Sequence, residues 1–300
     1  MDLSVIIPVY NQEKIISKVL NSLINQNISK NRYEIIIIDD GSTDKTYKIL
    51  NSFKKKLGNK IFIFKTINLH GKGTARNLGI KKAKNKIIVL LDGDIIASKN
   101  LLAEHLKWHQ KFPKENFAVV GYITWASQLK ITPFMYWLEH GGGQLNFDDL
   151  KNKQEIDYKY FYTGNTSFKR DFLLKNGLFD EDFGREMYED LELAYRLQKK
   201  GLKVFYNKNA KAYHHHGTDI KKYSKRMMSV GKGARILFEK HPKLKDKVAL
   251  SRFTFRTILN QIFSPAYFFI GKVFKSIKWM GYYYNARFFK FYLKGYREND

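Results

Sequence analysis

The sequence predicts an α/β fold, in which helices flank a mostly parallel central sheet and a helical, aromatic and basic extension follows at the C-terminus. Three observations predict it. Apolar runs rich in β-branched residues alternate, over residues 3–124, with segments whose apolar residues recur at helical spacing. Acidic or glycine-rich loops follow the apolar runs, and residues 251–300 combine aromatic with basic side chains. We therefore expect one domain over residues 1–220 and the extension over residues 221–300.

The first elements begin with a strand over Leu3–Val9, in which apolar side chains predominate as in a strand covered on both faces. A helix is predicted over Glu13–Asn25, a second strand over Tyr33–Ile38, and a helix from about Asp44 to Lys56 that Ser42 or Thr43 would cap. The further predictions are a strand at Ile61–Thr66, a glycine-rich turn and helix at His70–Lys84, a strand at Lys86–Leu91, a helix at Leu101–Phe112, a strand at Phe117–Thr124, a turn before a helix at Asp171–Lys175, strands at Val204–Tyr206 and Ala210–Tyr213, and helices at Lys221–Glu239 and from Asp246 onward.

Composition bounds the chemistry of the chain. Three hundred residues with 44% hydrophobic content can bury a core, and the absence of cysteine excludes disulfides, thiolate metal sites and a cysteine nucleophile. The net charge of +26, from 54 Lys and Arg against 28 Asp and Glu, favours a polyanionic partner. Nucleic acid, anionic lipid and phosphorylated substrates all fit that description, so charge alone does not choose among them.

Two acidic loops follow strands of the predicted sheet. Asp39 and Asp40 end the second strand, and Asp92 and Asp94 flank Gly93 after the apolar run that ends at Leu91. Ligands of parallel sheets collect beyond the carboxyl ends of strands, so both loops should lie at one edge. Two close carboxylates with short oxygen ligands suit Mg²⁺ or Mn²⁺ shared with phosphate oxygens. The alternative is an ordinary acidic turn.

Two further segments carry candidate chemistry. Lys72 and Arg76 stand on the glycine-rich turn and helix, where backbone N–H groups and cations suit phosphate, although a solvated helix face explains them as well. Glu189 and Asp190 open a helix with an apolar side, where the helix dipole favours an ionised carboxylate that could act as a general base or simply cap the helix.

The histidines at 214–216 follow a predicted strand. His214 and His216 share one face of it and could complete a metal site or serve structure alone. The segment between Tyr122 and Tyr160 lacks a clear pattern, and Trp125 and Trp137 within it could stack on a ligand beside the site or belong to the core.

The segments Val5–Asn11, Asp39–Asp44, Gly71–Gly79 and Asp92–Asp94 closely resemble, in order and spacing, the family 2 glycosyltransferases, and the resemblance continues to about His216. It implies the GT-A fold, with a Rossmann-like sheet. It also implies an inverting, divalent-metal-dependent transfer of a sugar from a nucleotide-sugar donor, UDP-linked, to an acceptor hydroxyl. Such reactions belong to cell-surface polysaccharide or glycolipid synthesis, with a glycan or a lipid-linked molecule as acceptor.

The same resemblance implies a role for each matching residue. Asp190 is the expected base, with Glu189 in support. Asp94 is the expected ligand of Mn²⁺ or Mg²⁺ together with His214, or alternatively His216. Asn165 matches a Gly-x-Asn segment of the family, although here Gly164 precedes it directly, and a plain turn is the alternative. The expected donor-binding residues are Pro8, Tyr10, Asn11, Glu13, Asp40, Lys72, Arg76, Asp92, Gly93 and Asn165. For Asp40, a helix-capping role is the alternative.

The C-terminal extension interleaves aromatic residues with Lys and Arg over residues 251–300. That pattern is typical of a helix in an anionic membrane interface, and a helical cover or a dimer interface are the alternatives. The N-terminus lacks a basic segment followed by an apolar one, and no apolar run reaches the ~20 residues of a spanning helix. We therefore expect a cytoplasmic protein, with attachment to the inner face of the membrane through the extension as a further possibility.

Two other functions remain as hypotheses. A nucleotidyltransferase acting on sugar phosphates would share a similar sheet and paired aspartates, but it leaves the Glu189–Asp190 helix unexplained. A non-enzymatic basic protein that binds nucleic acid or membrane would have scattered carboxylates, whereas here they cluster at strand ends. We therefore expect no nucleic-acid partner.

Overall fold

The computed structural model describes residues 2–66, 71–142, 144–245, 261–274 and 276–298. The chain divides into two compact units. The first comprises Met1–Leu129, Asp149–Arg185 and Glu189–His216, and the second comprises Lys130–Asp148, Glu186–Tyr188 and Gly217–Asp300. Compared with the predicted division after residue 220, two internal segments belong with the C-terminal unit.

The first unit is built on one nine-stranded sheet. Its strands are β1 (Leu3–Val9), β2 (Tyr33–Asp39), β3 (Ile61–Lys65), β4 (Ile87–Leu91), β5 (Ile95–Ala97), β6 (Phe117–Trp125), β7 (Glu155–Ile156), β8 (Asn165–Lys169) and β9 (Lys203–His214). They follow the order β3-β2-β1-β4-β8-β6-β9-β5, with β7 paired to β9. The pairs among β3, β2, β1 and β4 are parallel, whereas β8 runs antiparallel to β4 and β6. The α/β class is confirmed, and the sheet is mixed rather than mostly parallel.

Helices pack around this sheet because its central strands are apolar on both faces. Every residue of β1 and β4 is buried. The helices of this unit are α1 (Ile16–Ile24), α2 (Thr46–Leu57), α3 (Lys72–Lys82), α4 (Leu101–Lys111), α6 (Arg170–Asn176) and α7 (Glu189–Gln198). Since β1, β2 and β4 are parallel neighbours, the loops after them open at one edge of the sheet, as ligand loops in such folds do.

The segment expected to be a turn before α6 is instead the strand β8, and all five of its residues are buried. Its side chains at 165, 167 and 169 share one face, because strand residues alternate. That face meets His105 and His109, which lie one helical turn apart on α4. Hydrogen bonds between polar side chains therefore hold α4 against β8, whereas apolar contacts predominate elsewhere in the core.

A single chain of hydrogen bonds connects these side chains. Lys169 Nζ lies 2.8 Å from His109 Nδ1, Ser167 Oγ lies 2.8 Å from both His109 Nε2 and His105 Nδ1, and His105 Nε2 lies 2.8 Å from Asn165 Oδ1. Burial lowers the pKa of His105 to about 4 and lowers the pKa of His109 as well. Burial also lowers the pKa of Lys169 to about 8. Both imidazoles are therefore neutral at pH 7.

The second unit is helical in its described part: α5 (Pro133–His140), α8 (Ile220–Lys240), α9 (Ser264–Val273) and α10 (Ile277–Arg297). Glycines at 231 and 295 let α8 and α10 approach closely, since a Cβ at either would overlap the backbone of the other helix. Trp137 is buried against Tyr284 and Phe288, as the core interpretation of this residue predicted. The helix predicted at Lys221–Glu239 is α8. The helical stretch expected from Asp246 onward lies outside the described ranges over residues 246–260, and its described part contains α9 and α10. Among the described helices, none is long and apolar enough to cross a bilayer.

Candidate active site

The loops after β1 and β2 brace each other. Asn11 adopts φ +51°, and its Oδ1 accepts a hydrogen bond from the backbone N–H of Thr43 at 2.8 Å. Glu13 Oε2 accepts one from the N–H of Lys45 at 3.0 Å. Neither Ser42 nor Thr43 caps α2, because the hydroxyl of Ser42 instead accepts a hydrogen bond from the N–H of Asn11. The donor-binding role of Asn11 and Glu13 stays a prediction, and their evident role is to hold these loops in place.

Asp40 fixes the start of the glycine-rich turn. Its Oδ2 accepts a hydrogen bond from the N–H of Gly71 at 3.0 Å, and its Oδ1 accepts one from the hydroxyl of Thr66 at 2.6 Å. Gly71 has φ +93°, and a Cβ there would overlap the carbonyl oxygen of Gly184. Asp40 thus lies at the base of this edge, mostly buried, beside the turn that begins α3.

Asp92 is held between two cations. Its carboxylate lies 3.4 Å from Lys72 Nζ and 2.8 Å from Arg76 Nη2. Burial pushes the pKa of Asp92 up, but the charges of Lys72 and Arg76 together with the hydrogen bond from Arg76 outweigh that effect, so its pKa is far below the ordinary value. Asp92 is therefore ionised, and Lys72, with a side chain 55% exposed, is an accessible cation beside it.

Arg76 is buried rather than accessible, with only 2% of its side chain exposed. Its Nη1 donates to Glu189 Oε1 at 2.8 Å, so one guanidinium bridges Asp92 and Glu189. Burial would lower the pKa of Arg76, but the neighbouring carboxylates raise it, which keeps the guanidinium charged. The predicted phosphate contact of Arg76 does not fit this position. The sequence shows the charge of a side chain but not its depth.

Glu189 and Asp190 open α7, as predicted. Glu189 is buried, and its Oε2 has no hydrogen-bond partner. Asp190 is only partly buried, and its Oδ1 accepts a hydrogen bond from the N–H of Leu191 at 2.8 Å. Asp190 also interacts electrostatically with Arg76. The pair therefore presents one inner carboxylate fixed by Arg76 and one outer carboxylate that is partly exposed.

Asp94 and His214 face each other across the β5–β9 pairing. Asp94 Oδ1 lies 3.6 Å from His214 Nε2, and the N–H of His215 donates to the carbonyl of Asp94. Two ligands at ~2.1 Å from one cation are about 3.0 to 3.6 Å apart for angles of 90° to 120°, so this pair fits a shared Mg²⁺ or Mn²⁺. Within the described ranges, no group of three or more His, Asp or Glu could hold a metal alone. The ring of His216 is 6.3 Å from that of His214.

Gly93 packs closely on the neighbouring strand, since a Cβ there would lie 3.0 Å from the carbonyl oxygen of Pro8. Tyr10 follows the same strand, and the guanidinium of Arg185 lies 5.0 Å from the centre of its ring. Arg185 is exposed and follows Gly184, which packs on Gly71. Sequence reasoning missed this cation, because the only signal was one Arg in the loop before Glu189.

Asn165 is fully buried within the sheet. Its Nδ2 donates to the carbonyls of Ala210 at 2.8 Å and Tyr122 at 3.3 Å, and its Oδ1 meets His105. The donor-binding role predicted for Asn165 does not fit a side chain committed to internal bonds. Gly164 lies closer to the site, since a Cβ there would be 3.5 Å from Asp92 Oδ2.

These contacts gather acidic residues from distant parts of the chain. Asp40 contacts the turn that begins α3, α3 carries the two cations of Asp92, and Arg76 joins Asp92 to Glu189. Asp94 follows Asp92 by two residues and faces His214. Such an arrangement can hold a cation with an anionic ligand and keep a carboxylate ready to accept a proton.

Comparisons with known proteins show which proteins this chain resembles. The family model described as "Glycosyl transferase family 2" matches residues 4–175, more than half of the chain. The poly(ribitol-phosphate) beta-glucosyltransferase of Bacillus spizizenii is 46% identical over 116 residues, 39% of this chain and 18% of that protein. The uncharacterized glycosyltransferase YfnE of Bacillus subtilis is 30% identical over 251 residues, 67% of this chain and 62% of that protein. The chain therefore spans less than two thirds of the length of either relative.

A solved structure is similar over nearly the whole chain. The crystal structure of S. aureus TarS 1-349 has a TM-score of 0.58 and 18% identity, and the match covers 99% of this chain and 90% of that one. At this level of identity, the likeness concerns the fold.

Proposed function

The chain belongs to glycosyl transferase family 2, and from this membership we propose that it is an inverting, divalent-metal-dependent enzyme. It transfers a sugar from a UDP-linked donor to an acceptor hydroxyl. The observation that carries the proposal is the bridge from Asp92 through Arg76 to Glu189, with both Arg76 contacts at 2.8 Å. It joins the edge expected to hold the donor to the helix that carries Asp190.

Each residue then has a chemical task. The Asp190 carboxylate accepts the proton of the acceptor hydroxyl as its oxygen attacks the anomeric carbon of the sugar. The bond between that carbon and the diphosphate oxygen breaks, and the nucleoside diphosphate leaves with the electron pair. Attack opposite to the leaving group inverts the configuration. Arg76 is a positioning residue, because it is buried and acts through Glu189 and Asp92.

Charge on the leaving diphosphate needs compensation. Asp94 and His214 would hold a Mn²⁺ or Mg²⁺ ion, which when bound neutralises the diphosphate charge. The 3.6 Å separation of their ligating atoms supports this assignment. Lys72 and Arg185 are the exposed cations beside Asp92 and Tyr10, and we assign them to the donor.

The acceptor is a hydroxyl of a cell-surface polymer that carries phosphate. The net charge of +26 supports an anionic acceptor, since it raises the local concentration of polyanions. A sequence relative named poly(ribitol-phosphate) beta-glucosyltransferase points to the same class of polymer.

One incubation tests the reaction class. The protein is mixed with Mn²⁺, a panel of nucleotide sugars and either a polyol-phosphate polymer or a neutral glycan, and released nucleotides are separated. Release of UDP from one donor, stimulated by the polymer, supports the proposal. Release of pyrophosphate would indicate a nucleotidyltransferase instead.

Variants test the base. Asp190→Asn should reduce turnover by about 1,000-fold or more with donor affinity changed less than about twofold, because the amide cannot accept the proton. The matched control is Asp171→Asn, whose side chain is 67% exposed, and it should retain full turnover. Unchanged turnover in Asp190→Asn would remove this residue as the base.

A further inference from the structure

The helix α9 presents an apolar face to solvent. Phe269 and Val273 lie four residues apart on that face and are 69% and 56% exposed, and Ile262, which precedes the helix, is 64% exposed. Phe274, at the C-cap of α9, is 74% exposed, and Phe263, at its N-cap, is 49% exposed. We call these five residues the apolar ridge. They form a concentrated set of exposed phenylalanine and aliphatic side chains, which on a protein surface marks an interaction site.

The opposite side of α9 is already covered. Gly271 is buried, and a Cβ there would lie 2.8 Å from the side chain of Met280 on α10. The ring of Tyr267 lies 5.7 Å from that of Trp279 and 5.4 Å from that of Tyr282. The helix is therefore fixed on α10 by one side, and the orientation of the apolar ridge is set by that packing.

The stretch of sequence that carries the ridge has charge of one sign. Residues 247–297 contain ten Lys and Arg and no Asp or Glu. Lys272 is exposed on α9, and Lys278 is exposed at the start of α10. A second copy of the chain would bring the same positive charge against itself, and at +26 per chain that contact is repelled. The occupant of the ridge must therefore be apolar at its contact and anionic around it.

We propose that the apolar ridge docks on an anionic lipid bilayer, with the phenylalanine rings inserted below the headgroups and the lysines at phosphate level. Side chains that protrude with about half or more of their surface exposed suit a deformable interface better than a folded partner, which would need a matching groove. An interfacial helix inserts about 5–10 Å into the headgroup boundary, and each nearby Lys or Arg adds attraction to anionic lipid. This inference deepens the proposed function by naming a surface, but it does not depend on the reaction.

Because the chain has no cysteine, a single introduced cysteine can be labelled without background. Phe269→Cys in the full chain gives a single site for an environment-sensitive fluorophore. Leu174→Cys, at an apolar side chain that is 41% exposed on α6 of the first unit, gives the matched control. With vesicles of phosphatidylcholine containing 30% phosphatidylglycerol, the label at 269 should shift to shorter wavelength and brighten, while the label at 174 should not. Vesicles of phosphatidylcholine alone should give a much smaller response.

Flotation of unlabelled protein measures the strength of binding. Phe269→Ser and Phe274→Ser should each lower the partition coefficient about tenfold, and Leu174→Ser should change it less than twofold. Lys272→Glu with Lys278→Glu should lower binding to anionic vesicles at least about tenfold without changing the urea midpoint. Flotation that is equal in the phenylalanine variants and the unmodified chain would overturn the proposal, as would a label at 269 that responds to protein concentration and not to vesicles. Neither measurement uses sugar transfer, so a failure here is distinct from a failure of the proposed function.

Discussion

Replacing Arg76 by lysine should uncouple Asp92 from Glu189. The guanidinium donates to both carboxylates at 2.8 Å, and a lysine ammonium at the same position can reach only one of them. Because Glu189 has just 7% of its side chain exposed, a loss of its partner leaves a buried carboxylate uncompensated. The variant should therefore have a lower free energy of unfolding and a lower kcat, even though its net charge is unchanged.

The magnitude follows from the two contacts. A hydrogen bond to a charged group contributes about 1.5–3 kcal/mol, and breaking a buried ion pair from one side costs about 3–5 kcal/mol. Asp92 is 21% exposed, so the contact with Glu189 should dominate. We expect Arg76→Met to lower the free energy of unfolding by about 3–5 kcal/mol and Arg76→Lys by about half of that.

A double-mutant cycle isolates the contact. Urea unfolding is measured for Arg76→Met, Glu189→Gln and the double variant, and the coupling energy should be about 2–3 kcal/mol. Donor titration of Arg76→Lys should show a KM within about threefold of the unmodified chain, while kcat falls at least tenfold. This split distinguishes a positioning residue from a phosphate ligand.

Two results would refute this reasoning. Additive effects in the cycle, with coupling below about 0.5 kcal/mol, would mean that Arg76 and Glu189 do not depend on each other. A KM that rises strongly in Arg76→Lys while kcat is preserved would return Arg76 to the phosphate-binding role that the sequence suggested.

Three further predictions concern the metal, a turn and pH. Asp94→Ala should weaken Mn²⁺ binding, measured by titration with nucleoside diphosphate present, at least about 100-fold, whereas the exposed Asp148→Ala should not. Gly71→Ala should cost at least about 2 kcal/mol more than Gly58→Ala in urea unfolding, because both have positive φ but only Gly71 faces a backbone carbonyl. On acidification from pH 6.5 to 4, the unfolded state binds a proton that folded His105, with its pKa lowered to about 4, does not bind. This residue should remove about 3 kcal/mol of stability over that window, and a flat profile of urea midpoint against pH would contradict it.

The parallel half of the sheet could be predicted from sequence because its strands are continuous apolar runs. β1 and β4 are buried at every position, and a short, mostly apolar run rich in β-branched residues is typical of such a strand. β8 escaped prediction for the opposite reason. Its sequence, Asn165–Lys169, is mostly polar and shows neither an apolar run nor alternation, so only the partners on α4 make its burial possible.

Within the site, the sequence indicated which groups lie near the edge better than it indicated what each one touches. The Asp94–His214 pair was predicted, and it is close. Arg76 and Asn165 were expected to face a ligand, yet both are buried. Exposure depends on the packing of α3 and β8 against distant segments, which local spacing does not encode. Nothing in the local sequence indicates that Arg185 lies over the ring of Tyr10.

The row of polar groups between α4 and β8 has a consequence for how the sheet can assemble. Asn165 Nδ2 faces two carbonyls, so its Oδ1 must accept, and every proton from there back to Lys169 has a fixed direction. A slip of β8 by two residues would keep the same face inward but would separate Asn165, Ser167 and Lys169 from their present partners on α4. These hydrogen bonds therefore specify the register of β8 between β4 and β6. Apolar side chains, which pack without directional bonds, would specify that register less strictly. We accordingly expect a substitution at one of these hydrogen-bonded positions to be tolerated only when its partner is substituted to match.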